Sequence, residues 1–81
     1  MSKPIMYTTT WCGYCNSLKR QLKANGIEWD EVDVEVDADA AALVEKINGG
    51  NRVVPTVAYS DGTSMTNPTW KEVAEKLDQL G

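Results

Sequence analysis

Cys12 and Cys15, set three residues apart between a short apolar run and a leucine-spaced stretch, constrain this chain more than any other feature. Ahead of them, Pro4-Ile5-Met6-Tyr7-Thr8-Thr9 is apolar, aromatic and β-branched, which predicts a strand. Behind them, Leu18 and Leu22 stand one helical turn apart, and Asn25-Gly26 tolerates the left-handed conformation of a helix end. The motif therefore falls where a strand ends and a helix begins. A disulfide closing so small a loop adds only about 2 kcal/mol in the chain-entropy treatment. Chemistry explains the pair better than stapling does.

That boundary favours a reactive sulfur. The first turn of a helix has backbone N–H groups without intrahelical partners, and the aligned peptide dipoles place about half a positive charge there. A cysteine at that end is stabilised as the thiolate, the nucleophilic form. Cys12 is the candidate attacking sulfur, and Cys15, one turn on, is the candidate resolving sulfur of a thiol–disulfide exchange. Lys19 and Arg52 are candidate secondary contributors to activation. Two cysteines and no histidine are too few for a tetrahedral zinc site. An iron–sulfur cluster shared between two chains, each giving a thiolate, stays open at this point.

The rest of the chain alternates element types. Ile27 to Val34 predicts a second strand, although its alternation slips near Glu31. Asp37 or Asp39 is expected to cap a helix carried by Ala40 to Ile47, with Leu43, Val44 and Ile47 as its apolar face. Asn48-Gly49-Gly50-Asn51 stops it. Arg52 to Tyr59 reads as a strand interrupted by Pro55, which belongs at a strand start or an edge because it cannot donate to the ladder. Ser60-Asp61-Gly62-Thr63 predicts a hairpin turn into a short strand at Ser64-Met65. Asn67-Pro68 predicts a helix start, an N-cap followed by proline, continued by Trp70, Val73, Leu77 and Leu80. The order βαβ, α, ββ, α predicts an α/β fold in which a four-stranded mixed sheet carries three helices packed on both faces. Residues 1–81 are expected to form one domain.

Composition bounds the function classes. Of 81 residues, 42% are hydrophobic and 25% charged, as in globular chains generally. Eight basic against twelve acidic residues leave a net charge of −4. No nucleic-acid partner is expected, because such binding needs a clustered positive surface. No apolar run reaches the ~18 residues that span a bilayer, and the stretch from Met1 to Tyr7 lacks the apolar core of a secretory signal. A cytoplasmic monomer without membrane contact is expected.

Several residues admit two readings. Trp11 and Tyr14 offer an apolar platform for a docking substrate, or simply pack. Trp29 and Trp70 read as core. Pro55 either packs beside the disulfide as a cis proline or is a plain edge proline, and sequence alone favours trans. Thr66 and Asn67 place donors at the expected helix start, suited either to a carboxylate or to capping alone.

Cys12-Gly13-Tyr14-Cys15, Val54-Pro55-Thr56 and the element order together resemble the glutaredoxins of the thioredoxin superfamily across essentially the whole chain. More closely, Trp11 to Cys15, Asn48 to Arg52, Val54 to Val57, Asp61-Gly62 and Thr66-Asn67-Pro68 are similar to the mycoredoxins, which use mycothiol in place of glutathione. The resemblance implies a thioredoxin/glutaredoxin-like fold, no bound cofactor, mycothiol as co-substrate, and mycothiolated or disulfide-containing proteins as partners. It implies that Cys12 attacks mycothiol–protein mixed disulfides, that a second mycothiol regenerates it, and that Cys15 is needed only in dithiol reactions. Thiol-binding roles carry over to Tyr14, Arg52, Val54 and the Thr66-Asn67 turn, and Pro55 is implied to be cis. The chain departs from many glutaredoxins at Gly13, where proline is common, and at Thr9, where a basic residue is common. It also has Thr66-Asn67-Pro68 in place of a Gly-Gly and acidic pair. These departures fit mycothiol better than glutathione. The runner-up enzyme is a redoxin that serves ribonucleotide reductase and is recharged by thioredoxin reductase. A cluster-carrying dimer is the alternative of a different class, left open by the small Gly13.

Overall fold

The computed structural model describes residues 3–81; Met1 and Ser2, part of the stretch considered as a leader, lie outside the described residues. Seven elements follow one another: β1 (Ile5–Thr8), α1 (Gly13–Ala24), β2 (Asp30–Asp33), α2 (Ala38–Ile47), β3 (Thr56–Ala58), β4 (Ser64–Thr66) and α3 (Trp70–Leu80). The sheet order is β2-β1-β3-β4. β1 runs parallel to β2, as a helical crossover permits, and antiparallel to β3. β3 and β4 form the expected antiparallel hairpin.

Alternation along the central strands divides the core into two layers. Met6 stands opposite Val57 in the β1–β3 register. Both face α1 and α3, where they are buried with Leu18, Leu22, Tyr59 and Val73. Tyr7 points the other way and packs with Ala40, Ala41 and Val44 of α2, joined by Ile5 and Ala58. A fully buried aliphatic side chain such as Leu22 or Val44 contributes about 1.5–3 kcal/mol by leaving water. The mixed four-stranded sheet with helices on both faces is therefore as expected. Among the described residues, no helix is long and apolar enough to cross a membrane.

Several local expectations are corrected. β2 is shorter than the stretch from Ile27 to Val34, because Trp29 lies before it and Val34 already turns. The strand is an outer edge carrying Asp30, Glu31 and Asp33, charges that suit an edge exposed to solvent. Of the two expected caps for α2 the first is the one used: Asp37 accepts from the Ala40 N–H at 3.0 Å. The buried face of α2 is Ala40, Ala41 and Val44, while Leu43 is exposed. The seam therefore starts on the alanines, with Ala40, Ala41 and Val44 packed in one cluster with Tyr7 of β1. Trp29 and Trp70 are half-buried at the border of the core, and Leu80 is exposed.

The start of α3 also differs. Thr69, not Asn67, is the N-cap: its side chain accepts from the Glu72 N–H at 3.2 Å, and Glu72 accepts from the Thr69 N–H at 2.9 Å. This reciprocal capping box satisfies two otherwise orphaned donors. Asn67 has φ 48°, a left-handed turn conformation rather than the extended one of an N-cap. Pro68 is buried ahead of the helix.

Candidate active site

The site forms where β1 leaves the sheet and α1 begins. Cys12 is the N-cap of α1, with extended backbone, and its Sγ accepts the N–H of Cys15 at 3.1 Å. Sulfur thus fills the place that a serine or aspartate oxygen usually takes. Cys12 and Cys15 are joined as a disulfide with a Cα–Cα distance of 5.2 Å, well within the ordinary range for such a bridge. Cys15 is completely buried, whereas Cys12 keeps 4% of its surface exposed. Of the two sulfurs, Cys12 is the one an incoming disulfide meets first. Gly13, the first residue of α1, has open space where a Cβ would stand.

The expected binding residues gather around Cys12 to different degrees. Trp11 and Tyr14 are 70% and 73% exposed beside it, so neither is core packing. The Val54 carbonyl oxygen lies 3.7 Å from Cys12 Sγ, bringing the loop before β3 against that sulfur. The Val54–Pro55 peptide is cis, as the resemblance implied. Pro55 precedes β3 and its carbonyl accepts the Asn67 N–H at 2.8 Å, so the turn after β4 is tied to the same loop.

Thr66 and Asn67 do not present free helix-start donors. α3 begins three residues after Asn67, the Asn67 N–H is taken by Pro55, and the Thr66 hydroxyl donates to Asn48. The two residues belong to a built turn, and any ligand contact there must come from the remaining Asn67 groups. The proposed secondary activators are likewise engaged. Arg52 pairs with Glu45 and Lys19 with Glu31. Trp29 and Lys19 together hold the Glu31 carboxyl below its usual pKa, the indole hydrogen bond being the larger cause. Both cations are paired, and the donor that meets Cys12 Sγ is the Cys15 N–H at the start of α1.

Two residues show contacts, or a lack of them, that sequence reading does not give. Thr9, marked in sequence only as a departure three positions before Cys12, is buried and its hydroxyl has no partner among the described residues. Asn48, part of a helix stop and of the Asn48 to Arg52 resemblance, is the C-cap of α2, and its side chain bonds Val44, Thr56 and Thr66. Its place in the stop signal was visible, but Thr66 lies eighteen residues further along and no local pattern couples the two. Among the described residues, no group of three or more His, Cys, Asp or Glu is placed to hold a metal ion. A surface cavity lined by Pro4, Ile27, Leu77 and Leu80 shares no residue with the site.

Comparison with known proteins agrees with this arrangement. The glutaredoxin family matches residues 5–63. A glutaredoxin-like protein of Mycobacterium tuberculosis is 56% identical over 75 residues, covering 93% of this chain and 89% of its own. Mycoredoxin 1 of Corynebacterium glutamicum is 49% identical over 80 residues, 99% of either chain. The crystal structure of the glutaredoxin from Methanosarcina mazei superposes with a TM-score of 0.78 at 27% identity, covering 94% of this chain and 78% of that one. An adjacent cysteine pair at a helix start, in this sheet, is the working part of a thiol–disulfide oxidoreductase.

Proposed function

The chain belongs to the glutaredoxin family, and from that premise we propose that it reduces mixed disulfides between mycothiol and proteins, with Cys12 as the nucleophile. The observation that carries this reading is the bond from the Cys15 N–H to Cys12 Sγ at the start of α1, which favours a thiolate at Cys12.

In the first step the Cys12 thiolate attacks the mycothiol sulfur of the mixed disulfide. A Cys12–mycothiol disulfide forms, and the protein leaves as a thiolate that takes a proton from water. A second mycothiol thiolate then attacks the bound mycothiol sulfur, giving the mycothiol disulfide and restoring the Cys12 thiolate. Mycothiol as co-substrate is supported by 49% identity to a mycoredoxin over 99% of either chain. In dithiol reactions, Cys15 attacks Cys12 Sγ instead and releases the bound thiol, forming the disulfide seen here. Trp11 and Tyr14 provide the docking platform, and Val54, Pro55 and Asn67 the polar edge beside it, with Thr66 holding the turn. The chain works as a cytoplasmic monomer, where a reducing pool can recharge the pair.

The test is NADPH consumption with a small mixed-disulfide substrate under two reducing systems, one of mycothiol and its disulfide reductase, the other of thioredoxin reductase alone. Turnover only with mycothiol is the expected result. Turnover only with thioredoxin reductase would move the chain to the thioredoxin-reductase-linked redoxins and make Cys15 essential.

A further inference from the structure

We infer that Asn48 is a positioning residue that sets the gap between the Val53–Thr56 loop, which touches Cys12, and the Thr66-Asn67 turn, which is bonded to that loop. The backbone of Asn48 already completes α2, its N–H going to the Val44 carbonyl at 3.0 Å. The side-chain amide works sideways. Its Nδ2 donates to the Val44 carbonyl at 2.9 Å and to Thr56 Oγ1 at 3.2 Å, and its Oδ1 accepts from Thr66 Oγ1 at 2.5 Å. Thr56, fully buried, passes the restraint on by donating to the Val53 carbonyl at 2.6 Å. Thr56 and Thr66 are register partners across β3 and β4. One amide therefore uses both its donors and its acceptor to pin the ends of two strands to the end of a helix.

The chain makes room for this. Gly49 and Gly50 have φ of 68° and 104°, so the backbone turns away directly after Asn48 and leaves its side chain against Thr56 and Thr66. A helix stop needs none of the contacts beyond Val44. Their common consequence is a fixed separation between the segments on which a thiol substrate lies, while Cys12 itself is held by α1. The inference rests on the proposed substrate-binding role of those segments. Loss of Asn48 should then weaken substrate binding without changing the thiolate.

The experiment compares Asn48→Ala, Thr66→Val and the double variant with wild type in steady-state reduction of a mycothiol–peptide mixed disulfide, alongside the pH midpoint of Cys12 alkylation. Each single variant is expected to raise KM about five- to tenfold, the net effect of one lost hydrogen bond. The value of kcat should stay within about twofold and the alkylation midpoint should not move. The double variant should be no worse than the worse single, because the two share one bond. A KM change below about twofold, additive effects, or a loss confined to kcat with a moved midpoint would each overturn the assignment. Thr66→Val leaves α2 untouched, so it decides the matter alone if Asn48→Ala does not fold. If wild type fails to turn over the mycothiol substrate, the co-substrate reading falls instead. The same variants are then compared on bis(2-hydroxyethyl) disulfide with dithiothreitol as reductant, where the same KM pattern supports Asn48 and its absence overturns it.

Discussion

The backbone N–H of Cys15 donates to the Sγ of Cys12 across 3.1 Å, so the second cysteine serves the first through its amide as well as its sulfur. The amide is fixed by α1 and not by the disulfide, because Asn16 N–H already closes the first turn on the Cys12 carbonyl at 3.0 Å. Substitution can separate the two contributions. Cys15→Ser removes the second sulfur and keeps the N–H that donates to Cys12 Sγ.

Cys12→Ser is accordingly expected to reduce turnover to background. Cys15→Ser should retain more than about a tenth of wild-type kcat/KM on mixed disulfides, a loss under ~1.4 kcal/mol in the transition state. Steady-state assays of both variants on one mixed-disulfide peptide measure this. Equal loss in the two would exclude the monothiol route.

Reduced Cys12 should react with iodoacetamide with a pH midpoint below the free-thiol value of about 8.5. The cause is the Cys15 N–H and the positive end of α1. Because the dipole contribution is screened by salt, the midpoint should rise toward the free value as ionic strength increases. A midpoint near 8.5 at low salt contradicts the assignment of the nucleophile's activation to the helix end.

Tyr59 governs an alkaline limit. Burial, with smaller contributions from Glu72 and Asp61, pushes its phenol up to about 12, and its hydroxyl lies 3.3 Å from Met65 Sδ. The group is bound to its proton more tightly when folded than when unfolded. Its contribution to stability is complete below the unfolded value of about 10 and disappears as the pH rises through 12. Tyr59→Phe should stay within about 1 kcal/mol of wild type at neutral pH and lose less stability between pH 10 and 12. Melting temperature against pH for the two proteins checks this, and parallel curves would refute it.

Periodicity and the cysteine spacing carried most of the fold. Strand, motif and helix at Ile5 to Ala24 are set by local pattern, because Leu18 and Leu22 must face Met6 and Val57 whatever else the chain does. The same local logic placed Cys12 at the helix start. What escaped it is decided by partners distant in sequence. Leu43 fits an apolar face as well as Ala40 does, and which of them is buried is decided by the rotation of α2 against the sheet, where Ala40 packs and Leu43 stays exposed. The pairings of Arg52 with Glu45 and Lys19 with Glu31 depend on loop and strand placement, and they remove two cations that sequence alone left free to act on Cys12. Thr66 reads in sequence as a donor for a ligand, and in the fold its hydroxyl donates to Asn48 instead.

The sharpest of these differences, the start of α3, can be tested by stability. Both Asn67-Pro68 and Thr69 followed by Glu72 carry start signals, and the left-handed φ of 48° at Asn67 is what decides between them. If Thr69 is the cap, Thr69→Ala should cost about 1 kcal/mol by leaving the Glu72 N–H without its partner. Asn67→Gly should cost little or nothing, since glycine adopts the left-handed conformation freely and keeps the N–H that Pro55 accepts at 2.8 Å. Urea midpoints for the two variants separate the alternatives. Were Asn67 the cap, replacing it by glycine would still be mild but Thr69→Ala would fall inside the helix, where alanine is the better former, and would stabilise the protein instead.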